Sequence, residues 1–177
     1  ELERAFETGI AFDASAVRGF LNVSKGDLLL VPDPTTLCVL PWRPQTGRVV
    51  RFFCALRYAD GTAFEGDIRS LLRTQVKDLS AQGWEISIGT KCEFYLFRLD
   101  EKGEPTLVPQ DNAGYCDLAP RDRGENVRRE ICLTLEQMGV HPETSHHEKG
   151  PGQNEVDFCA GDPLSSADNL ATFKTVV

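Results

Sequence analysis

Short apolar runs broken by Pro, Gly and Asp open the chain. Residues 9–12, 28–31 and 38–40 each predict a short strand, and 49–56 predict a longer one. Tyr58-Ala59-Asp60-Gly61-Thr62 then reads as a turn and a domain edge. Beyond it the period changes. Ile68, Leu71, Leu72, Val76 and Leu79 recur at helical spacing, Asp67 can cap the helix and Gly83 ends it near residue 82. Residues 84–88 and 92–99 predict strands, and Asp100-Glu101-Lys102-Gly103 turns the chain back into 106–108. A second helix is predicted over 125–138, with Val127, Ile131 and Leu135 on one face and Gly139 as its stop. Two strands follow around His146 and Glu155. Residues 168–177 begin another helix with no stop signal, so the parent chain is expected to continue. Strands and helices in this irregular order predict an α+β fold rather than a doubly wound parallel sheet. The expected division is a first domain over 1–60 and a second over 61–177.

Composition narrows the function classes. Of 177 residues 41% are hydrophobic, enough for an ordinary core. The net charge is −8, from 19 basic and 27 acidic side chains, which disfavours nucleic acid and anionic membrane surfaces as partners. No apolar run approaches the ~18 residues of a membrane span. The six cysteines form no Cys-x-x-Cys pair and sit mostly in or beside apolar runs. They are expected to be reduced, buried thiols of a cytosolic protein rather than disulfides or zinc ligands.

The chemistry concentrates at Ser145-His146-His147-Glu148-Lys149-Gly150-Pro151-Gly152-Gln153-Asn154-Glu155-Val156-Asp157. Gly150-Pro151-Gly152 is a turn between two strand-like segments. A hairpin symmetric about Pro151-Gly152 places Glu148 opposite Glu155, and alternation puts His146 and Glu148 on one face. Two carboxylates ~4 Å apart at an effective dielectric of ~20 repel by roughly 4 kcal/mol. A hard divalent cation would compensate, since Mg²⁺ and Mn²⁺ prefer carboxylate oxygens. Glu93, in the apolar strand Cys92-Glu93-Phe94-Tyr95-Leu96-Phe97, offers a third carboxylate that needs a partner. A solvated, charged sheet face is the alternative. His146 and His147, adjacent on a strand, point to opposite faces and cannot easily share a metal; packed or hydrogen-bonded histidines are the expectation.

Ser145-His146-His147-Glu148 and Pro151-Gly152-Gln153-Asn154-Glu155 together resemble the glutamine synthetases of bacterial type I. The resemblance extends to Phe12-Asp13, Leu30-Val31-Pro32-Asp33-Pro34, Pro41-Trp42, Phe64-Glu65-Gly66-Asp67, Gly114-Tyr115, Gly124-Glu125-Asn126-Val127-Arg128-Arg129-Glu130 and Thr172-Phe173-Lys174, and so to nearly the whole chain. It implies an α+β fold with a β-grasp-like N-terminal domain, followed by the beginning of a catalytic domain built on an antiparallel sheet with flanking helices. It implies a cytoplasmic glutamate–ammonia ligase that uses ATP and Mg²⁺ or Mn²⁺, takes L-glutamate and ammonium, and assembles as a homo-oligomer, a dodecamer of stacked rings. By resemblance Glu93, Glu148 and Glu155 bind the first metal. Glu148, Tyr115 and Asp13, the last from a neighbouring subunit, form the ammonium pocket, and Glu143 contacts the nucleotide. Taken without the resemblance, Asp13 is a loop aspartate and Tyr115 a half-buried core tyrosine.

Three departures matter. Lys91 stands where the resemblance leads one to expect the glutamate of a second metal, so its ammonium would replace or block that cation. Asp13-Ala14-Ser15-Ala16 replaces a loop with glycine after the aspartate, and alanine adopts positive φ less cheaply, so Asp13 is expected to follow another path. Lys149 follows Glu148 where a small apolar residue is usual. The chain spans less than half of a family member and is not expected to complete the reaction alone. Two alternatives remain: a γ-glutamyl-amine synthetase acting on a polyamine, favoured by the altered loop, and a non-catalytic structural or regulatory subunit, favoured by Lys91.

Overall fold

A computed structural model describes residues 2–22, 26–43 and 46–177. By its internal contacts the chain divides into two compact units, Glu1–Ile86 and Ser87–Val177.

The first unit begins with helix α1 (Leu2–Thr8), which the hydrophobic pattern does not announce because it is only about two turns long and, among its described side chains, buries Ala5 alone. Strands β1 (Ile10–Asp13), β2 (Asp27–Pro32) and β5 (Cys54–Arg57) form an antiparallel sheet in the order β1-β2-β5. Leu28, Ala14 and Phe64 make its core, with Phe12, Phe20, Leu21, Leu56 and Tyr58 packed around them. The long strand predicted over 49–56 is two strands, β4 (Val50–Arg51), which pairs with β3 (Cys38–Val39), and β5. The break has a local cause: the backbone of Phe53 is taken up by the turn at Asp33–Thr36. Phe53 N donates to Thr36 Oγ1 at 2.9 Å and Phe53 O accepts from Asp33 N at 2.8 Å.

Helix α2 (Ile68–Ala81) starts where predicted, on the Asp67 cap. The Asp67 carboxylate accepts from Arg69 N, Ser70 N and Ser70 Oγ, and also from Leu56 N at 2.9 Å, which ties the helix start to β5. Arg69 and Arg73 add ion pairs to Asp33 at 3.0 and 2.8 Å. No residue of α2 is buried, so these polar ties rather than its apolar stripe hold it in this unit.

The second unit is built on an antiparallel sheet of β6 (Ile88–Tyr95), β10 (Gln153–Gly161) and β9 (Pro142–His147), in the order β6-β10-β9. A separate hairpin joins β7 (Phe97–Leu99) to β8 (Pro105–Pro109). Helices α3 (Glu125–Gln137) and α4 (Pro163–Val176) pack on the three-stranded sheet. The last helix begins five positions before the predicted start, because Asp162 caps it and Pro163 occupies its first turn.

Strand alternation sorts the side chains of this sheet. Cys92, Val156 and Phe158 turn into a core with Ile131 and Leu135 of α3, Val140, and Phe173 of α4. Residues at the intervening positions of β6 and β10 are left to the other face. None of the six cysteines is in a disulfide; Cys38 and Cys92 are buried, Cys54 and Cys132 half-buried, and Cys116 and Cys159 exposed, so the expectation of burial fails for the last two.

Leu135 is fully buried whereas Leu133, on the same helix, is 39% exposed. Leu135→Ala is expected to cost about 2–5 kcal/mol, from lost transfer energy plus a cavity. Leu133→Ala should cost less than about 1 kcal/mol. Urea denaturation midpoints of the two variants check the contrast.

Candidate functional site

The face of the β6-β10-β9 sheet away from its core is polar across all three strands. Glu155 is the Cα partner of Glu93 on one side and of His146 on the other, Asp157 lies between Lys91 and Thr144, and Gln153 is paired with Tyr95. The hairpin register differs from the one expected. Glu148 N donates to Gln153 O at 2.8 Å, so Glu148 faces Gln153 and the carboxylates directly opposed are Glu93 and Glu155. The cause is the turn: Gln153 N donates to Gly150 O at 3.0 Å, which centres the hairpin between Gly150 and Pro151. The displacement is two residues, which leaves every side chain on the face the alternation predicts.

Each carboxylate on this face has a different environment. Glu155 is buried, its side chain 3% exposed, and receives the Lys91 ammonium at 2.5 Å on Oε1. Burial lifts its pKa above the ordinary glutamate value, against the pull of Lys91. Asp157 accepts from Thr144 Oγ1 at 2.7 Å and sits 3.4 Å from Lys91 Nζ, both through Oδ2. Its Oδ1 is buried with no hydrogen-bond donor among the described residues. Glu93 Oε2 accepts from Gln153 Nε2 at 2.6 Å. Glu148 Oε1 lies 3.1 Å from His146 Nε2, and its Oε2 accepts from Lys149 N. The contact with His146, then that with the Lys149 amide, holds the Glu148 pKa below the usual glutamate value. Hydrogen bonding to Glu155, opposed by partial desolvation and helped by Asp157, raises the pKa of Lys91.

The sequence-derived residues are therefore only partly brought together. Glu93, Glu148 and Glu155 share the face, but the group whose donor atoms lie within 4.8 Å of one another is His146, Glu155 and Asp157. The oxygen-rich donor set, the opposed pair Glu93 and Glu155 and the unused Asp157 oxygen together suit a hard divalent cation. Tyr115 is exposed rather than half-buried, and its ring meets His146 edge-on with centroids 5.4 Å apart. Glu143 is exposed and is left unpaired by a register shift between Asp157 and Phe158. Asp13 belongs to the first unit. It caps a 3-10 turn over Ala14–Ala16, accepting from Ser15 N at 2.9 Å and Ser15 Oγ at 2.6 Å. Those hydrogen bonds, the hydroxyl's first, lower its pKa. The alanines need no positive φ, since Cys116 is the one non-glycine residue with that conformation among those described.

Behind the polar face lies a buried network that the sequence did not reveal. His147 points opposite to His146, as the alternation requires, and is fully buried. Its Nε2 is 2.9 Å from Asp111 Oδ1 and its Nδ1 2.6 Å from Glu148 O. Asp111 also accepts from Ala113 N at 3.3 Å, Gly152 N at 3.1 Å and Arg123 N at 2.8 Å. Arg128 makes a forked pair with Asp122, at 3.2 and 2.6 Å, and donates to Asn154 Oδ1 at 2.5 Å. Asp111, Asp122 and His147 also lie within 4.8 Å, but the two carboxylates already accept from these donors and both His147 ring nitrogens face oxygen acceptors, which makes the cluster structural. Asp111 and His147 are 36 positions apart, beyond any local pattern. Asp157, two residues from Glu155, joins the carboxylates of the polar face, and strand alternation is the signal in the sequence that places it there.

The family model described as the glutamine synthetase beta-Grasp domain matches residues 1–58, and the glutamine synthetase catalytic domain matches residues 65–177. Glutamine synthetase from Clostridium saccharobutylicum is 47% identical over 177 residues, covering 100% of this chain and 40% of that one. Glutamine synthetase from Methanosarcina mazei is 46% identical with the same coverage. The chain thus spans about 40% of the length of the curated relatives it matches. Among solved structures, GmaS in a complex with ADP superposes with a TM-score of 0.83 at 26% identity, covering 99% of this chain and 40% of that one. Plasmodium falciparum glutamine synthetase shares the fold, with a TM-score of 0.82 at 19% identity over 98% of this chain and 39% of that one. Helix α2 falls within the catalytic-domain match, although its contacts group it with the first unit.

Burial alone would raise the Asp111 pKa, but the bonds from Arg123 N, His147, Ala113 N and Gly152 N outweigh it and bring it down to about 2. An unfolded aspartate titrates near ~3.9. The Asp111 contribution to stability is therefore complete above about pH 4 and lost as pH falls towards 2. Asp111→Asn is expected to destabilise the protein by roughly 2–4 kcal/mol at pH 7, by leaving buried donors unmatched, and to flatten the acid limb. Urea unfolding across pH 2 to 7 measures both.

Proposed function

Because the chain belongs to the glutamine synthetase family, we propose that it forms part of a glutamate–ammonia ligase, which makes glutamine from L-glutamate, ammonium and ATP through a γ-glutamyl phosphate. The observation that carries the reading is the acidic face of the β6-β10-β9 sheet, where Glu93, Glu155 and Asp157 lie on adjacent strands and Glu148 directly follows the end of β9. We place the domain boundary at the turn near residue 60. In the assembled protein, a cytoplasmic homo-oligomer of dodecameric type, the active site lies between neighbouring subunits.

Glu93, Glu148 and Glu155 would hold Mg²⁺ or Mn²⁺, whose charge, when bound, screens the phosphates during phosphoryl transfer. The remaining chemistry belongs to side chains. Glu148 accepts hydrogen bonds from ammonium and takes its proton at a carboxylate oxygen, leaving ammonia free to attack. Tyr115, with its hydroxyl on an exposed ring beside His146, offers a second acceptor for the same cation, and Asp13 of a neighbouring subunit a third. Glu143 contributes to nucleotide contact.

One observation favours a second reading, a ligase of the same chemistry that takes a larger amine. The Asp13 carboxylate is already engaged by Ser15 within its own turn, which weakens it as an ammonium acceptor. On that reading, turnover with polyamines exceeds turnover with ammonia.

In the whole protein, Glu148→Gln is expected to lower kcat for glutamine formation by about 10²-fold or more, the usual scale of a lost general base. Steady-state assays with glutamate, ATP and ammonium test this, and an unchanged kcat removes Glu148 from the proposed role.

A further inference from the structure

The polar sheet face carries four carboxylates but one lysine, and that lysine is not placed at random. Lys91 is the Cα partner of Asp157, and its ammonium reaches diagonally to Glu155 Oε1 at 2.5 Å while standing 3.4 Å from Asp157 Oδ2. The two ends of this contact differ sharply in exposure. The Lys91 side chain is 69% exposed, whereas that of Glu155 is 3% exposed. A buried carboxylate is costly to ionise unless paired, so ionised Glu155 calls for an attending cation. His146 Nε2 lies 3.9 Å from the same oxygen, too far for a hydrogen bond, which leaves Lys91 as the attending group.

We infer that Lys91 is a resident cation of this cluster, a tethered competitor that a divalent metal must displace before it can use Glu155. The inference rests on the reading of this face as a metal site. A charge supplied by the chain itself satisfies Glu155 and Asp157 when no metal is bound, and its solvent-exposed stem leaves it room to withdraw. Coordination of Glu155 by a metal then breaks the Lys91 contact and turns the ammonium towards Asp157 or solvent. The cost of that exchange lowers metal affinity. Lys91 is thus a residue that sets the site's affinity and ion number, acting through Glu155 rather than on substrate.

The test is isothermal titration of the whole protein with Mn²⁺, with manganese electron paramagnetic resonance to count bound ions. Lys91→Gln removes the charge at similar length and is expected to tighten Mn²⁺ binding tenfold or more, or to add one ion per chain. Lys91→Arg keeps a cation in place and should stay close to the unsubstituted protein. If Lys91→Gln changes neither affinity nor ion number while Glu155→Gln weakens binding, the tethered-cation role is overturned and the metal site stands. If neither the unsubstituted protein nor Lys91→Gln binds Mn²⁺, the metal reading fails and this inference falls with it. Circular dichroism of each variant separates these outcomes from misfolding.

Discussion

The Asp111 carboxylate is the tie on which the site depends. It gathers the amides of Ala113, Arg123 and Gly152 and the ring of His147 around one pair of oxygens. Those donors come from both ends of the 110–124 loop, from the hairpin turn and from the end of β9. Backbone carbonyls are bound into the same arrangement: His147 O accepts from Cys116 N, which sets Tyr115 beside His146. Gly152 is obligatory here. It has φ +67, and a Cβ would stand 2.6 Å from Leu96 O. Remove the carboxylate and four donors, three of them in buried contacts, lose their acceptor together, at a cost far above that of one surface hydrogen bond.

This arrangement explains how a single sheet serves two ends. One set of positions fills the core with Val156, Phe158, Cys92 and Phe173, while the alternate set presents carboxylates. The core fixes the strands, and fixed strands hold like charges close together without a flexible loop to relieve them. Repulsion is then met by partners on the same face: Lys91 for Glu155, Gln153 for Glu93, Thr144 for Asp157 and His146 for Glu148. All four are side chains with donors that can be given up to another ligand.

Much of this was legible in the sequence, and what was not has physical reasons. Periodicity and capping located α2 and α3 almost to the residue because Asp67 and the glycines at their ends act locally. Helix α1 escaped because seven residues are too few to carry a clear period. The break at Phe53 escaped because a distant turn, not the strand's own residues, claims its backbone. At the site, alternation sorted His146 from His147 and kept Glu148 and Glu155 on a common face, whereas the place of Glu93 beside them comes from the pairing of β6 with β10. Alternation could not supply the register, which depends on which hydrogen bond closes the turn, nor Asp111 and Arg128, whose partners lie far along the chain.

The two-residue displacement of the hairpin bears on how this segment can change in length. A pair of residues inserted into or deleted from the turn between Glu148 and Gln153 shifts the pairing but preserves the sidedness of both strands, so the acidic side chains stay out of the core. A single-residue change reverses the sidedness of one strand relative to the other. It would drive Glu155 and Asp157 inward and Val156 and Phe158 outward, or force a bulge to absorb the extra residue. Length variation in this turn is therefore filtered by parity, with even steps tolerated by the sheet and odd steps excluded unless a bulge compensates.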